Sequence, residues 1–149
     1  MKNLDTWFTE YSKSHQHPLN IKIHYICVPL IAYSTLGIID ALSLLLIPQL
    51  PVSLVYLVIF LCGLFYLNLS LRLGLILIAS TLFMVFSFKL FSNPNDQLLL
   101  SVIIFLISWL FQFIGHKYEG AKPSFLKDIT FLLIGPLWVL AKISSRPIP

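Results

Sequence analysis

The amino-acid sequence predicts an all-α integral membrane protein, one bundle of four to five transmembrane helices with an N-terminal amphipathic helix. Three observations carry this. Of 149 residues, 58% are hydrophobic and only 11% charged, with a mean hydropathy of +0.89. A soluble domain carries about a quarter charged residues, so ten basic and six acidic side chains cannot coat a soluble globule of this size. The charges also divide the chain into apolar runs close to the roughly 20 residues a helix needs to cross about 30 Å of hydrocarbon. Between these runs fall clusters of Pro, Asn and Ser that punctuate turns.

The same composition excludes a disordered chain and a disulfide-stapled scaffold. Cys27 and Cys62 lie in apolar surroundings without CxxC spacing and read as small buried hydrophobes. The net charge of +4 reports on loop orientation, and no nucleic-acid partner is expected. The length allows a single membrane domain over 1–149. Residues 1–17 are polar and aromatic, unlike the basic start and apolar run of a cleavable signal peptide.

Taken in order, Leu4, Trp7, Phe8 and Tyr11 recur at i, i+3, i+4 and i+7 and predict an amphipathic helix over 4–14. Asp5 or Thr6 would cap it, and its aromatics suit a membrane interface. A first span is expected at about 23–46, since 17 uncharged residues separate Lys22 from Asp40 and apolar character continues to Ile47. Pro48 and Pro51 bracket a turn, and a second span follows at 52–69. After Arg72, 16 uncharged residues reach Lys89, giving a third span at 73–90. The turn-forming run 92–96 precedes 20 uncharged residues, which give a fourth span at about 97–115. The last apolar stretch, 129–141, has 13 residues including Gly135 and Pro136. It fits a re-entrant, interfacial or packed helix over about 128–143 better than a fifth crossing. Gly63, Gly74, Ala79 and Gly115 are the small residues expected to let helices approach.

With four spans, the N-terminus, the Arg72 turn and the segment after His116 share one side. That side holds Lys2, Lys13, Lys22, Arg72, Lys117, Lys122 and Lys127, and the opposite turns hold only Lys89. The positive-inside rule then makes the N-terminus and 116–128 cytoplasmic, in a bacterial inner membrane or the endoplasmic reticulum.

This topology gathers the chemistry at one face. His15, His17 and His24 precede or open the first span and His116 closes the fourth. Pro18 suits the first position of a helix capped near His17, which sets Asn20 and His24 one turn apart. His116 and Glu119, three apart, share a face. Imidazoles beside a carboxylate are the donors of a divalent iron, zinc or manganese site. Blander readings stand beside this one: interfacial histidines, Glu119 in a solvated pair with Lys117 or Lys122, Asn20 as a cap or helix bridge. Asp40 reads either as a functional intramembrane carboxylate or as a hydrated acid near the far headgroups.

Two stretches resemble the signatures of the Mpo1-like family: YSKSHQHPLNIKIHYICVP at 11–29 and WLFQFIGHKYEGAKP at 109–123. Pro136 in a hydrophobic tail is similar too, and the resemblance spans essentially the whole chain. The paired HxxxxNxxxH and GHxxEGxxP patterns are specific together. His17 stands where many members have Asn or another polar residue, which leaves it either a ligand or a neighbour. The resemblance implies a membrane-bound dioxygenase of fatty acid α-oxidation with Fe(2+) as cofactor. Its substrates would be O2 and a long-chain 2-hydroxy fatty acid, and its product the acid one carbon shorter. It further implies His15, His24 and His116 as iron ligands, with Glu119 or His17 completing or orienting the set. Asn20, Lys22, Lys117 and Lys122 would lie on the substrate side, with the acyl tail in the bilayer-embedded bundle. A 2-hydroxy acid can chelate such a centre through two oxygens and leave a position for O2. Competing readings are a metal-dependent lipid hydrolase, indifferent to O2, and a non-enzymatic metal or proton carrier. The carrier needs polar residues through the spans, where only Asp40, Asn68, Gln112 and a few Ser and Thr occur. A haem carrier would want histidines on both sides. Oligomeric state and chain-length preference are left open.

Overall fold

The computed structural model describes residues 2–144, which form six α-helices and two 3-10 turns with no strand among them. α1 (Leu4–Ser12) begins at Asn3, whose side-chain oxygen accepts from the Thr6 amide at 2.8 Å and the Thr6 hydroxyl at 2.7 Å. The cap therefore precedes Asp5 and Thr6. Extended Asn3 reaches over the first turn, while Asp5 lies inside it at the positive end of the helix dipole. The stripe Leu4, Trp7, Phe8 and Tyr11 is buried in protein, not spread at an interface. Trp7 meets Phe131 edge-on at 5.2 Å, and Tyr11 lies 5.4 Å from Trp138.

α2 (Pro18–Leu46) has 29 residues, about 43 Å of helix. His17 caps it by accepting from the Leu19 amide at 3.2 Å, and Pro18 takes the first position, where a missing N–H costs nothing. α3 (Leu54–Leu69) and α4 (Leu71–Ser87, prolonged by a 3-10 turn to Leu90) form an antiparallel hairpin with Ser70 alone between them. Gly74 makes this possible, since a Cβ there would sit 3.0 Å from the backbone of Tyr66 and Leu67. α5 (Pro94–Glu119) is capped by Asn93 and ended by Gly120, whose φ of 68° lies in the left-handed region that glycine enters freely. α2 and α5 each extend beyond the apolar run that announced them. α2, α4 with its extension, and α5 are long and apolar enough to cross a membrane. α3, at 16 residues, spans about 24 Å.

α2 and α5 lie antiparallel along their lengths, Asn20 against Gly115 and Gly37 against Ser101. Their burial is inverted relative to a soluble protein. The buried positions of α5 are Gln97, Ser101, Ser108, Gln112, Gly115 and His116, while Leu99 and Leu106 are more than 60% exposed. In lipid, apolar side chains gain nothing by leaving the surface, so small and polar residues form the seam. Gly37 belongs to that seam, whereas Ala79 faces outward and does not contribute as the sequence suggested.

α6 (Phe131–Ile143) is a packed helix of 13 residues, about 20 Å, beginning after an Asp128–Thr130 turn. Ile134, Leu137, Trp138 and Ala141 are wholly buried against α1, α2 and α4. Two apolar clusters result. One joins α1, α6, Tyr66 and Leu73 at the N-terminal end of α2. The other, Leu36, Val55, Ile59, Val85 and Phe88, closes the opposite end. A cavity lies between them.

Candidate metal centre

Three imidazoles from three elements meet where α1, α2 and α5 converge. His15 comes from the linker after α1, His24 from early α2 and His116 from the last turn of α5. They are 3%, 2% and 7% exposed, and one nitrogen of each lies within 4.8 Å of the others. Helix geometry sets two of the rings. His15 Nδ1 lies 2.6 Å from the Tyr11 carbonyl, and His24 Nδ1 lies 2.8 Å from the Asn20 carbonyl. A carbonyl only accepts, so each Nδ1 carries the proton and each Nε2 presents a lone pair. Those two Nε2 atoms are 2.9 Å apart. His116 Nδ1 is buried and has no protein partner.

Lone pairs facing one another at that distance repel unless a cation lies among them. Neutral imidazoles with the second nitrogen held by a carbonyl are the form in which histidine ligates divalent metals. The donor set therefore fits an iron or zinc ion. Burial, reinforced by His24, pushes His15 down to about 2, so its ring stays neutral at any ordinary pH. Tyr11 stacks on it at 3.9 Å and 10°, and Trp138 stands 5.5 Å away.

Glu119 lies outside this trio because its oxygens are engaged. Oε1 accepts from the Gln16 amide at 2.7 Å, and Oε2 from the His17 amide at 2.8 Å and the Asn20 side-chain nitrogen at 3.0 Å. The carboxylate thus fastens the linker carrying His15 to the end of α5. His17 caps α2 and stacks on Tyr118 at 5.9 Å, away from the three buried rings. Asn20 is fully buried against Gly115 and also donates to the Ser14 carbonyl at 3.2 Å. Lys22, Lys117 and Lys122 are exposed at this end of the bundle.

Several residues of the site were not singled out by the sequence. Ser14 and Ser124 pair their hydroxyls beside His15, and Trp138 donates to Ser12 Oγ at 3.0 Å. Gln112, 5% exposed and one turn before His116, has no hydrogen-bond partner and lines the cavity. Its i−4 spacing from His116 was the available signal. The cavity, about 420 Å³, opens from the imidazoles into the bundle between almost wholly apolar walls. That volume lies within the range of sites for small organic ligands.

A sequence model of the family described as Mpo1-like, 2-hydroxy-palmitic acid dioxygenase Mpo1-like, matches residues 1–146. The chain is similar to 2-hydroxy-palmitic acid dioxygenase MPO1 of Saccharomyces cerevisiae (strain ATCC 204508 / S288c). The two are 27% identical over 133 residues, which cover 87% of this chain and 73% of the yeast protein. No solved structure matches the chain.

Proposed function

The chain belongs to the Mpo1-like family, and on that premise we propose that it is an Fe(II)-dependent dioxygenase shortening long-chain 2-hydroxy fatty acids by one carbon. The observation that supports this most is the set of three buried imidazoles whose free nitrogens converge at the mouth of an apolar cavity. The reaction balances as RCH(OH)COOH + O2 → RCOOH + CO2 + H2O, with O2 taking up the four electrons released from the two terminal carbons.

His15, His24 and His116 would hold the ion, and three protein donors leave further positions open, as in non-haem iron oxygenases. Bound iron supplies Lewis acidity toward the hydroxy-acid head and one-electron chemistry toward O2. The protein does the rest. The Tyr11 and Asn20 carbonyls hold the His15 and His24 rings in the ligating tautomer, and Glu119 positions the His15 linker. Gln112 offers its unpaired amide to the substrate head, and the apolar walls take the tail and exclude water. Lys22, Lys117 and Lys122 give the rim a positive field that attracts the carboxylate. The chain would cross the membrane four times, α3 included, with this rim cytoplasmic, as the lysine distribution favours.

Protein purified without air should contain one iron per chain and, given 2-hydroxypalmitate and O2, should form pentadecanoate. His24→Ala and His116→Ala should lose both metal and turnover. Full turnover in either variant, or lipid cleavage that proceeds without O2, would reject the reading. The second outcome is the one a zinc hydrolase would give.

A further inference from the structure

We propose that the floor of the cavity, formed by Leu36 and Ile59, measures the acyl chain and sets the longest 2-hydroxy acid the protein accepts. This rests on the dioxygenase reading for the identity of the head group.

The cavity has two unlike ends. At one, His15, His24 and His116 converge with the unpaired Gln112. At the other, Leu36 and Ile59, each 7% exposed, face the cavity. Both also belong to the second apolar cluster, whose other members Val55, Val85 and Phe88 are at most 4% exposed. The end wall is thus backed by packed side chains. A close-packed interior does not yield to an extra methylene without displacing its neighbours.

The dimensions agree with one occupant. His24 and Leu36 stand twelve residues apart on α2, which is about 18 Å of helix. Carbon–carbon bonds of about 1.5 Å at near-tetrahedral angles advance an extended chain about 1.25 Å per bond, so the interval holds about 14 bonds. With the hydroxyl-bearing second carbon at the imidazoles, the terminal methyl of a chain of about 16 carbons reaches the floor. Longer chains must fold or press on the Leu36–Ile59 wall, and shorter ones leave apolar surface uncovered.

Two substitutions move the limit in opposite directions. Ile59→Ala deepens the floor, and Thr35→Phe, from the wall just before Leu36, raises it. Saturated 2-hydroxy acids from about 12 to about 20 carbons displace a fluorescent polyene fatty acid from the anaerobic protein, and the same acids are then turned over in air. A methylene in a fitted pocket is worth about tenfold and these acids differ by two, so the C18-to-C16 ratio should rise by up to about a hundredfold in Ile59→Ala, and the C14-to-C16 ratio similarly in Thr35→Phe. The readout is the ratio, because partial misfolding lowers every chain length together. A profile unmoved in both variants while turnover persists overturns the ruler and leaves the dioxygenase reading intact. Equal binding of all lengths by the wild type, as a cavity filled by any bilayer lipid would show, overturns it too. No binding or turnover of any 2-hydroxy acid by the wild type removes both proposals.

Discussion

The α2–α5 pair carries a buried polar layer at each end, and the two layers are finished differently. At the far end, Gln97 donates to the Gly37 carbonyl and to Asp40 Oδ2, each at 3.0 Å, and bare Gly37 lets Ser101 close the remaining space. Among the described residues, no buried side-chain atom there lacks a partner. The near end is built from the same helices, yet Asn20 Oδ1 and His116 Nδ1 remain unpaired beside two opposed imidazole lone pairs, and a cavity opens below them. An unpaired buried polar group costs about 1–3 kcal/mol. A satisfied layer holds helices together; an unsatisfied one is stable only if something arrives to complete it.

The largest break in that contrast comes from the imidazoles. His24→Ala or His116→Ala should lower metal affinity at least about hundredfold and reduce turnover to background, while the helical spectrum is kept. Metal analysis with circular dichroism checks both halves. Chelation should act in the same direction on stability. An ion present at about 100 times its dissociation constant adds about 2.7 kcal/mol, so a chelator should lower the melting temperature of the wild type and leave His24→Ala unmoved. Equal shifts in both proteins would place the ion elsewhere.

Glu119 gives the next effect. Its carboxylate touches no imidazole in the trio, but it fixes the linker from which His15 projects. Glu119→Ala should therefore cost about 10- to 100-fold in metal affinity, the range of an outer-shell partner, with Glu119→Gln between it and the wild type because an amide oxygen still accepts one N–H. A loss as large as that of His24→Ala would make Glu119 a ligand and reassign its contacts.

How far the sequence could anticipate this differs by level. Charge counting found the middles of the helices but stopped α2 at Lys22 and α5 before His116. Polar residues continue a helix past an apolar run when its terminal groups are capped: at the start of α2 by His17 followed by Pro18, which the sequence did offer, and at the end of α5 by left-handed Gly120. The gathering of histidines at one end was legible from the count of antiparallel elements. The part Glu119 plays was not, because its partners are backbone amides of residues about a hundred positions away, and an amide leaves no mark on side-chain identity. Gly37 was passed over for a similar reason, since only the facing Ser101 makes its missing Cβ matter. Gly37→Leu, which overfills that contact, should destabilise the bundle by about 1–3 kcal/mol without changing metal content per folded chain.

The smallest effect is expected at Asp40, and it separates an enzyme from a carrier. A carboxylate alone in an apolar span would be the obvious proton site of a transporter. Here it is 8% exposed, is joined to Gln97 and does not line the cavity. Asp40→Asn keeps an oxygen that accepts from the same Gln97 amide, so the seam survives. Interhelical hydrogen bonds in membranes are worth about 0.6 kcal/mol on average, and melting in detergent should shift by no more than that. Turnover of 2-hydroxypalmitate should be unaltered. Asp40→Leu, by contrast, removes the acceptor and leaves one of the two Gln97 N–H donors without a partner while the other keeps the Gly37 carbonyl, so it should be the less stable of the two variants. If Asp40→Asn instead abolished activity in a protein of normal stability and metal content, the far layer would be part of the machinery, and the distinction between a closed and an open polar layer would fail.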